Sequence, residues 1–121
     1  MNLTGKKVAI LGCGRSGLGA ARLALAKGAA DARLFDTNPA ARCSDPAITC
    51  CAGATEDDAR AYAADLVVIS PGIEADTSWA LAFCSAGAPL IGETELAYNY
   101  YPGRIIAITG TNGKTTTTAL I

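Results

Sequence analysis

Histidine is missing altogether, and the five cysteines, Cys13, Cys43, Cys50, Cys51 and Cys84, include no C-x-x-C pair. A typical zinc site draws its ligands from closely spaced Cys and His, so metal binding through sulfur is not expected. The adjacent Cys50 and Cys51 are too close for an unstrained disulfide. They read with the others as reduced, small apolar fillers of a cytosolic interior. No apolar stretch approaches the ~20 residues that a helix needs to cross a bilayer. Met1-Asn2-Leu3-Thr4-Gly5 also lacks a signal-peptide pattern, so a cytoplasmic protein without membrane insertion is expected. Charge is scarce as well, at 17% of residues and a net −1, with Lys and Arg scattered singly apart from Lys6-Lys7. No basic stripe is available to neutralise a phosphate backbone, which argues against a nucleic-acid partner.

What the chain does have is apolar bulk: 50% of its 121 residues are hydrophobic, a balance that supports a packed core over disorder. The length suits one small domain, which would bury roughly two-thirds of the surface its unfolded form exposes. A second complete domain does not fit.

Lys7 to Leu11 is a short apolar, β-branched run that ends in glycines. The alanine- and leucine-rich stretch from Ser16 to Lys27 follows, with apolar positions at Leu18, Ala21, Leu25 and Ala26. That pattern predicts strand, tight turn and helix. Gly28 closes the helix, and Ala32 to Phe35 is a second strand running into Asp36-Thr37-Asn38-Pro39. Between Ala40 and Ala54 the chain carries little pattern beyond a short strand at Ile48 to Cys51. Thr55, with Asp58 three positions on, opens a helix that runs to about Ala63. The unbroken apolar strand Leu66-Val67-Val68-Ile69 stops at Ser70-Pro71-Gly72 and belongs to a sheet covered on both faces. Ser78 to Ser85 forms a helix with Trp79 and Phe83 on one face, and Pro89 to Ile91 forms a strand leading into Glu93 to Tyr98. This alternation predicts an α/β fold, a doubly wound parallel sheet with right-handed crossovers and ligands at the carboxyl ends of its strands.

The pattern breaks near Tyr98-Asn99-Tyr100-Tyr101-Pro102-Gly103, and a boundary is placed at about residue 102. Residues 1–102 then form one domain with its linker. Residues 103–121 open another with the apolar strand Arg104 to Thr109, a glycine loop and the first turns of a helix. That helix reaches Ile121 without a cap, as expected of a truncated second domain.

Gly12-Cys13-Gly14-Arg15-Ser16-Gly17 follows a strand and opens a helix, the context that gives G-x-G-x-x-G its meaning. Gly12 permits the sharp turn, Gly14 lets the backbone approach a ligand, and Gly17 lets helix and strand pack closely. The free N–H groups of the first helical turn attract an anion. Asp36, about 20 residues beyond the loop, stands where an acid would hold the ribose of NAD. NAD, another nucleotide, and glycines serving βα packing alone all remain open on these residues.

The second loop is more specific. Gly110-Thr111-Asn112-Gly113-Lys114-Thr115-Thr116 has the parts that cradle polyphosphate: backbone N–H groups, a lysine for the β/γ oxygens and a hydroxyl for magnesium. It is shorter than the standard G-x-x-x-x-G-K-[ST] pattern, since only Thr111 and Asn112 separate Gly110 from Gly113. This short form after an apolar strand closely resembles the ATP loop of the Mur ligase family and its relatives, folylpolyglutamate synthase and cyanophycin synthetase. Gly12 to Gly17, Asp36-Thr37, Ser70-Pro71-Gly72-Ile73 and Gly92-Glu93-Thr94-Glu95-Leu96 look like the D-glutamate-adding branch of that family. The likeness runs in order through the whole chain, strongly at these motifs and weakly between residues 40 and 64.

The resemblance implies a Rossmann-like N-terminal domain that holds the uridine diphosphate end of the substrate and does not bind NAD. Gly14, Arg15 and Ser16 would line the diphosphate and ribose side, and Asp36 and Thr37 would meet the uracil edge. Ser70, Pro71 and Gly72 would form the opposite wall. Gly110, Thr111, Asn112, Gly113, Lys114, Thr115 and Thr116 would bind ATP, with Lys114 on the transferring γ-phosphoryl group and Thr115 on Mg²⁺. The implied reaction is ATP-dependent addition of D-glutamate to UDP-N-acetylmuramoyl-L-alanine in peptidoglycan synthesis, through an acyl phosphate. Groups beyond Ile121 would be needed to complete it, so the chain alone is expected to bind the uridine nucleotide without turnover. Two positions depart from the pattern. Asn38 stands where the family often has a basic residue, and Arg15 is larger and more polar than expected, either a source of charge toward the substrate or a solvated helix-start side chain. The alternatives are another Mur ligase branch, an NAD-binding Rossmann module or a noncatalytic binding module. The NAD-binding reading leaves Gly110 to Thr116 unexplained.

Overall fold

The structure is a computed structural model that describes residues 2–71, 73–74, 76–85, 87–100, 105–106 and 119–120. Strand β1 (Lys7–Leu11) leads into helix α1 (Arg15–Ala26) and strand β2 (Asp31–Asp36). Then come β3 (Thr49–Ala52), α2 (Glu56–Tyr62), β4 (Leu66–Ile69), α3 (Ser78–Phe83), β5 (Leu90–Gly92) and α4 (Glu93–Tyr100). These five strands form one parallel sheet in the order β3-β2-β1-β4-β5. The chain therefore builds outward from β1 through β2 to β3, then returns to the other side of β1 for β4 and β5. The reversal puts a topological switch point between the carboxyl ends of β1 and β4, where ligands of open α/β sheets bind.

Strands β1 and β4 are apolar on both sides because both faces of the sheet are covered there. Alternate residues of β1 serve opposite layers: Val8 and Ile10 pack with Leu18, Ala21 and Ala24 of α1 and Leu96 of α4. Ala9 and Leu11 pack with Ala59 and Tyr62 of α2 and Ala80 and Phe83 of α3. On that second face four aromatic rings run edge to face, with centroids 5.1 Å apart for Phe35–Tyr62, 4.8 Å for Phe35–Phe83 and 5.5 Å for Trp79–Phe83. Such contacts add about 0.5–1.5 kcal/mol each beyond burial.

The helix ends are set locally. Gly28, at φ +95°, closes α1 in a conformation that side chains rarely adopt. At α2 the Asp58 N–H donates to Thr55 Oγ1 (3.2 Å) and the Thr55 N–H donates to Asp58 Oδ2 (2.9 Å), a reciprocal capping box. Helix α3 is capped by Thr77, whose Oγ1 accepts the Ala80 N–H.

The structure differs from expectation in several places. The β3 strand is Thr49–Ala52, one residue beyond the predicted span, and α3 ends at Phe83 where Ser85 was expected. A two-stranded antiparallel pair joins β6 (Ile105–Ile106) to β7 (Ala119–Leu120), so Ala119 and Leu120 are strand where the predicted helix would have placed them in its first turns, and residues 107–118 lie outside the described residues. The boundary at about residue 102 lies outside the described residues. Among the described residues no helix is long and apolar enough to cross a membrane.

Candidate functional site

The switch point is built around glycines whose roles separate cleanly. The Gly12 N–H donates to the Phe35 carbonyl at 2.7 Å, and its φ of +116° turns the chain sharply out of β1. A Cβ there would stand 2.7 Å from Ser70 Oγ, 3.0 Å from Ser70 Cβ and 3.2 Å from Ile73 Cδ1. A Cβ on Gly17 would collide with the Gly12 carbonyl oxygen, so Gly17 is what lets α1 sit against the turn. Gly14 is different: a Cβ there would meet nothing within 4 Å. Packing inside the protein does not demand glycine at 14, which leaves close approach of a ligand as a reason for it.

Gly14 is also the N-cap of α1, in extended conformation and with no side-chain capping bond, and the first turn holds no acidic residue. The first intrahelical bond is from the Leu18 N–H to the Gly14 carbonyl (3.0 Å). The N–H groups of the opening turn, with Arg15 and Ser16 exposed beside them, therefore present a positive helix end.

Asp36 ends β2 next to this turn. Its Oδ2 accepts the Cys13 N–H (3.2 Å) and its Oδ1 accepts the Asn38 N–H (2.9 Å), so one half-buried carboxylate ties the glycine turn to the loop after β2. Each oxygen keeps a lone pair for a further donor. Thr37 is exposed. Asn38 serves the local turn, since its Oδ1 accepts the Ala40 N–H and its carbonyl accepts those of Ala41 and Gly53.

Across the fork, Ser70 is buried under Gly12 and its hydroxyl donates to Glu93 Oε2 at 2.6 Å, while its N–H donates to the Leu11 carbonyl (3.1 Å). Ser70 thus reaches inward, and Pro71 is the exposed residue of that wall. Sequence reasoning grouped Glu93 with the motif before the linker but did not connect it to Ser70. Gly72 lies outside the described residues, as do Gly110, Thr111, Asn112, Gly113, Lys114, Thr115 and Thr116.

Beside the α1 N-terminus lies a cleft of about 270 Å³, lined by Cys13, Gly14, Arg15, Leu18, Arg42 and Ser44. Arg42 and Ser44 were missed because their segment has no periodicity to place it. Among the described residues neither Arg15 nor Arg42 forms an ion pair. The loop that brings Arg42 here is held by Asp45, whose Oδ2 accepts Arg22 Nε (3.1 Å) and Nη2 (3.0 Å). The Ala47 N–H and that arginine together hold the Asp45 carboxyl below its ordinary range. Burial pushes the Cys13 thiol strongly up, and the neighbouring Cys50 adds to this, so the cleft floor stays neutral.

A larger hollow of about 490 Å³ opens on the α2 face, lined among others by Lys7, Arg33, Cys51, Asp58 and Tyr62. Its polar groups are largely matched already. Arg33 pairs with Asp31 at 2.9 Å, the Tyr62 hydroxyl donates toward Asp31 Oδ2 (2.9 Å) and the Val8 carbonyl (3.3 Å), and Lys7 Nζ lies 4.5 Å from the Tyr62 ring centroid. The smaller cleft, with unpaired cations and helix-end donors, is the better anion site despite its size.

Residues 6–92 match the family model described as Mur ligase MurD-like, N-terminal domain. The chain is 48% identical over 128 residues to the UDP-N-acetylmuramoylalanine--D-glutamate ligase of Lachnospira eligens, a match covering 100% of this chain and 28% of that protein. The proteins of the same name from Lachnoclostridium phytofermentans and Limosilactobacillus fermentum are 40% and 42% identical, over 100% and 97% of this chain and 28% and 27% of their own lengths. The chain thus spans little more than a quarter of the curated relatives it matches.

Proposed function

The chain belongs to the MurD-like N-terminal domain family of the Mur ligases, and on that premise we propose that it binds the uridine diphosphate end of UDP-N-acetylmuramoyl-L-alanine. The observation that carries the reading is the uncapped α1 N-terminus behind Gly12-Cys13-Gly14, set at the β1–β4 fork with Asp36 within hydrogen-bonding distance of the same turn. Backbone N–H groups of Gly14, Arg15 and Ser16 face the diphosphate. The spare lone pairs of Asp36 accept the uracil N–H, and Thr37 donates or accepts beside it. Ser70, braced by Glu93, supports the opposite wall from beneath, and Pro71 and Gly72 complete it.

In the longer protein, Gly110, Thr111, Asn112, Gly113, Lys114, Thr115 and Thr116 bind ATP, with Lys114 toward the γ-phosphoryl group and Thr115 on Mg²⁺. The reaction is addition of D-glutamate through an acyl phosphate, in the cytoplasm, as a step of peptidoglycan synthesis. The 121 residues alone bind without turnover. Calorimetric titration of the chain with UDP-N-acetylmuramoyl-L-alanine, UDP and NADH tests the binding role. The two uridine nucleotides are expected to bind and NADH not to; tighter binding of NADH would reverse the assignment. For the longer enzyme, ADP release that depends on both the muramoyl substrate and D-glutamate tests the reaction.

A further inference from the structure

We propose that Arg42, with Ser44 beside it, closes the cleft at the start of α1 as a phosphate clamp facing Arg15, giving this chain a diphosphate contact that comes from the loop between β2 and β3. The inference rests on the uridine-diphosphate reading of the site and adds to it a residue outside the glycine turn.

Three observations support the placement. Arg42 and Ser44 both line the cleft while Cys43 between them is half-buried against the α1 face of the core, so the segment turns alternate side chains toward the ligand and toward the protein. The loop is not free to wander, because Asp45 is fastened to Arg22 of α1 and the Ala41 N–H donates to the Asn38 carbonyl (3.1 Å). And the charges do not cancel. Among the described residues, Arg15 and Arg42 both line the cleft without a salt-bridge partner, no carboxylate lines it, and Asp45 is matched by Arg22. Like charges held around one small cleft repel, and an anion between them relieves that repulsion while accepting forked hydrogen bonds. The cleft, of about 270 Å³, is lined among the described residues by two arginines and a serine and by no aromatic ring on which a base could stack, so it suits the phosphates better than the base.

The test is calorimetric titration of the chain and its Arg42→Ala, Arg42→Lys and Arg60→Ala variants with UDP and with uridine. Arg60, on α2, pairs with Glu56 and Asp57 and controls for the loss of one positive charge. Arg42→Ala is expected to weaken UDP about tenfold, the order of one charge-assisted hydrogen bond, with uridine unchanged. Arg42→Lys is expected to recover part of the loss, because it keeps the charge and loses the fork. Equal UDP affinity in Arg42→Ala and wild type, or equal losses in Arg42→Ala and Arg60→Ala, would overturn the clamp and leave the parent reading standing. Failure of the wild-type chain to bind UDP would overturn both.

Discussion

Replacing Gly12 with alanine puts a methyl group where the structure has no room for it and asks an L-residue to hold φ +116°. The backbone cost of such a conformation is about 1–3 kcal/mol. The contacts at 2.7 Å and 3.0 Å with Ser70 force a shift in a buried residue, and overpacking of this kind costs about 1–3 kcal/mol more. The sum, about 2–6 kcal/mol, is a large fraction of the ~5–15 kcal/mol that stabilises a typical domain. At roughly 4 °C per kcal/mol for this size, the melting midpoint should fall by about 8–24 °C. Trp79 is the only tryptophan and packs against Phe83 in the core, so its fluorescence in a urea titration follows unfolding without labelling. A Ser70→Ala change in the same background removes the closest contact and should give back about 1 kcal/mol as a coupling energy. A Gly12→Ala chain within about 0.5 kcal/mol of wild type, the usual range for an unremarkable surface substitution, would refute the account of the turn.

Gly14→Ala should behave differently: a stability change within about 1 kcal/mol, since the site is open and its φ is ordinary while alanine is a poorer N-cap than glycine, with uridine diphosphate affinity reduced. Thermal melts and calorimetry on one sample read both effects, and a loss of stability without a loss of binding would contradict the assignment. Glu93→Ala leaves the buried Ser70 hydroxyl without its acceptor and should cost about 1–3 kcal/mol in urea unfolding, whereas Glu93→Gln, which keeps an acceptor, should cost less. The chain should also lose stability in alkali. Burial holds the Cys13, Cys51 and Cys84 thiols and the Tyr62 phenol above their ordinary values, so folding favours their protonated forms. That contribution is complete below the unfolded values of 9.0 for thiol and 10.0 for phenol, and drains away as the pH rises past them. A melting temperature level from pH 8 to pH 11 would count against it.

The sheet was legible in the sequence wherever two kinds of signal coincided. Val8 to Leu11 and Leu66 to Ile69 are unbroken apolar runs with glycine, serine or proline at their ends, and both are central strands. The capping pattern of Thr55 and Asp58 marked α2 to within a residue, because it is a local hydrogen-bond exchange that spacing alone determines. The loop from 37 to 48 resisted reading for the converse reason. It is held by the long-range Arg22–Asp45 pair and by Cys43 against the core, neither of which leaves a periodic trace. Arg42 was invisible for that reason. The motif Gly92 to Leu96 was noticed as a string, but the bond from Ser70 to Glu93 joins residues 23 apart and only the fold reveals it.

The fastening of the 37–48 loop by Arg22 and Asp45 has a consequence for ionic strength. The Arg22 side chain is 60% exposed, and a pair of that kind is worth about 0–1 kcal/mol and weakens as counterions crowd in, with a Debye length near 8 Å in physiological salt. Added electrolyte therefore acts twice, once on the attraction between guanidinium and ligand and once on the tether that presents Arg42. Affinity should then decline more steeply with potassium chloride than a tally of phosphate contacts alone would give. Swapping the tether for an uncharged crosslink should flatten that decline without touching a single ligand contact.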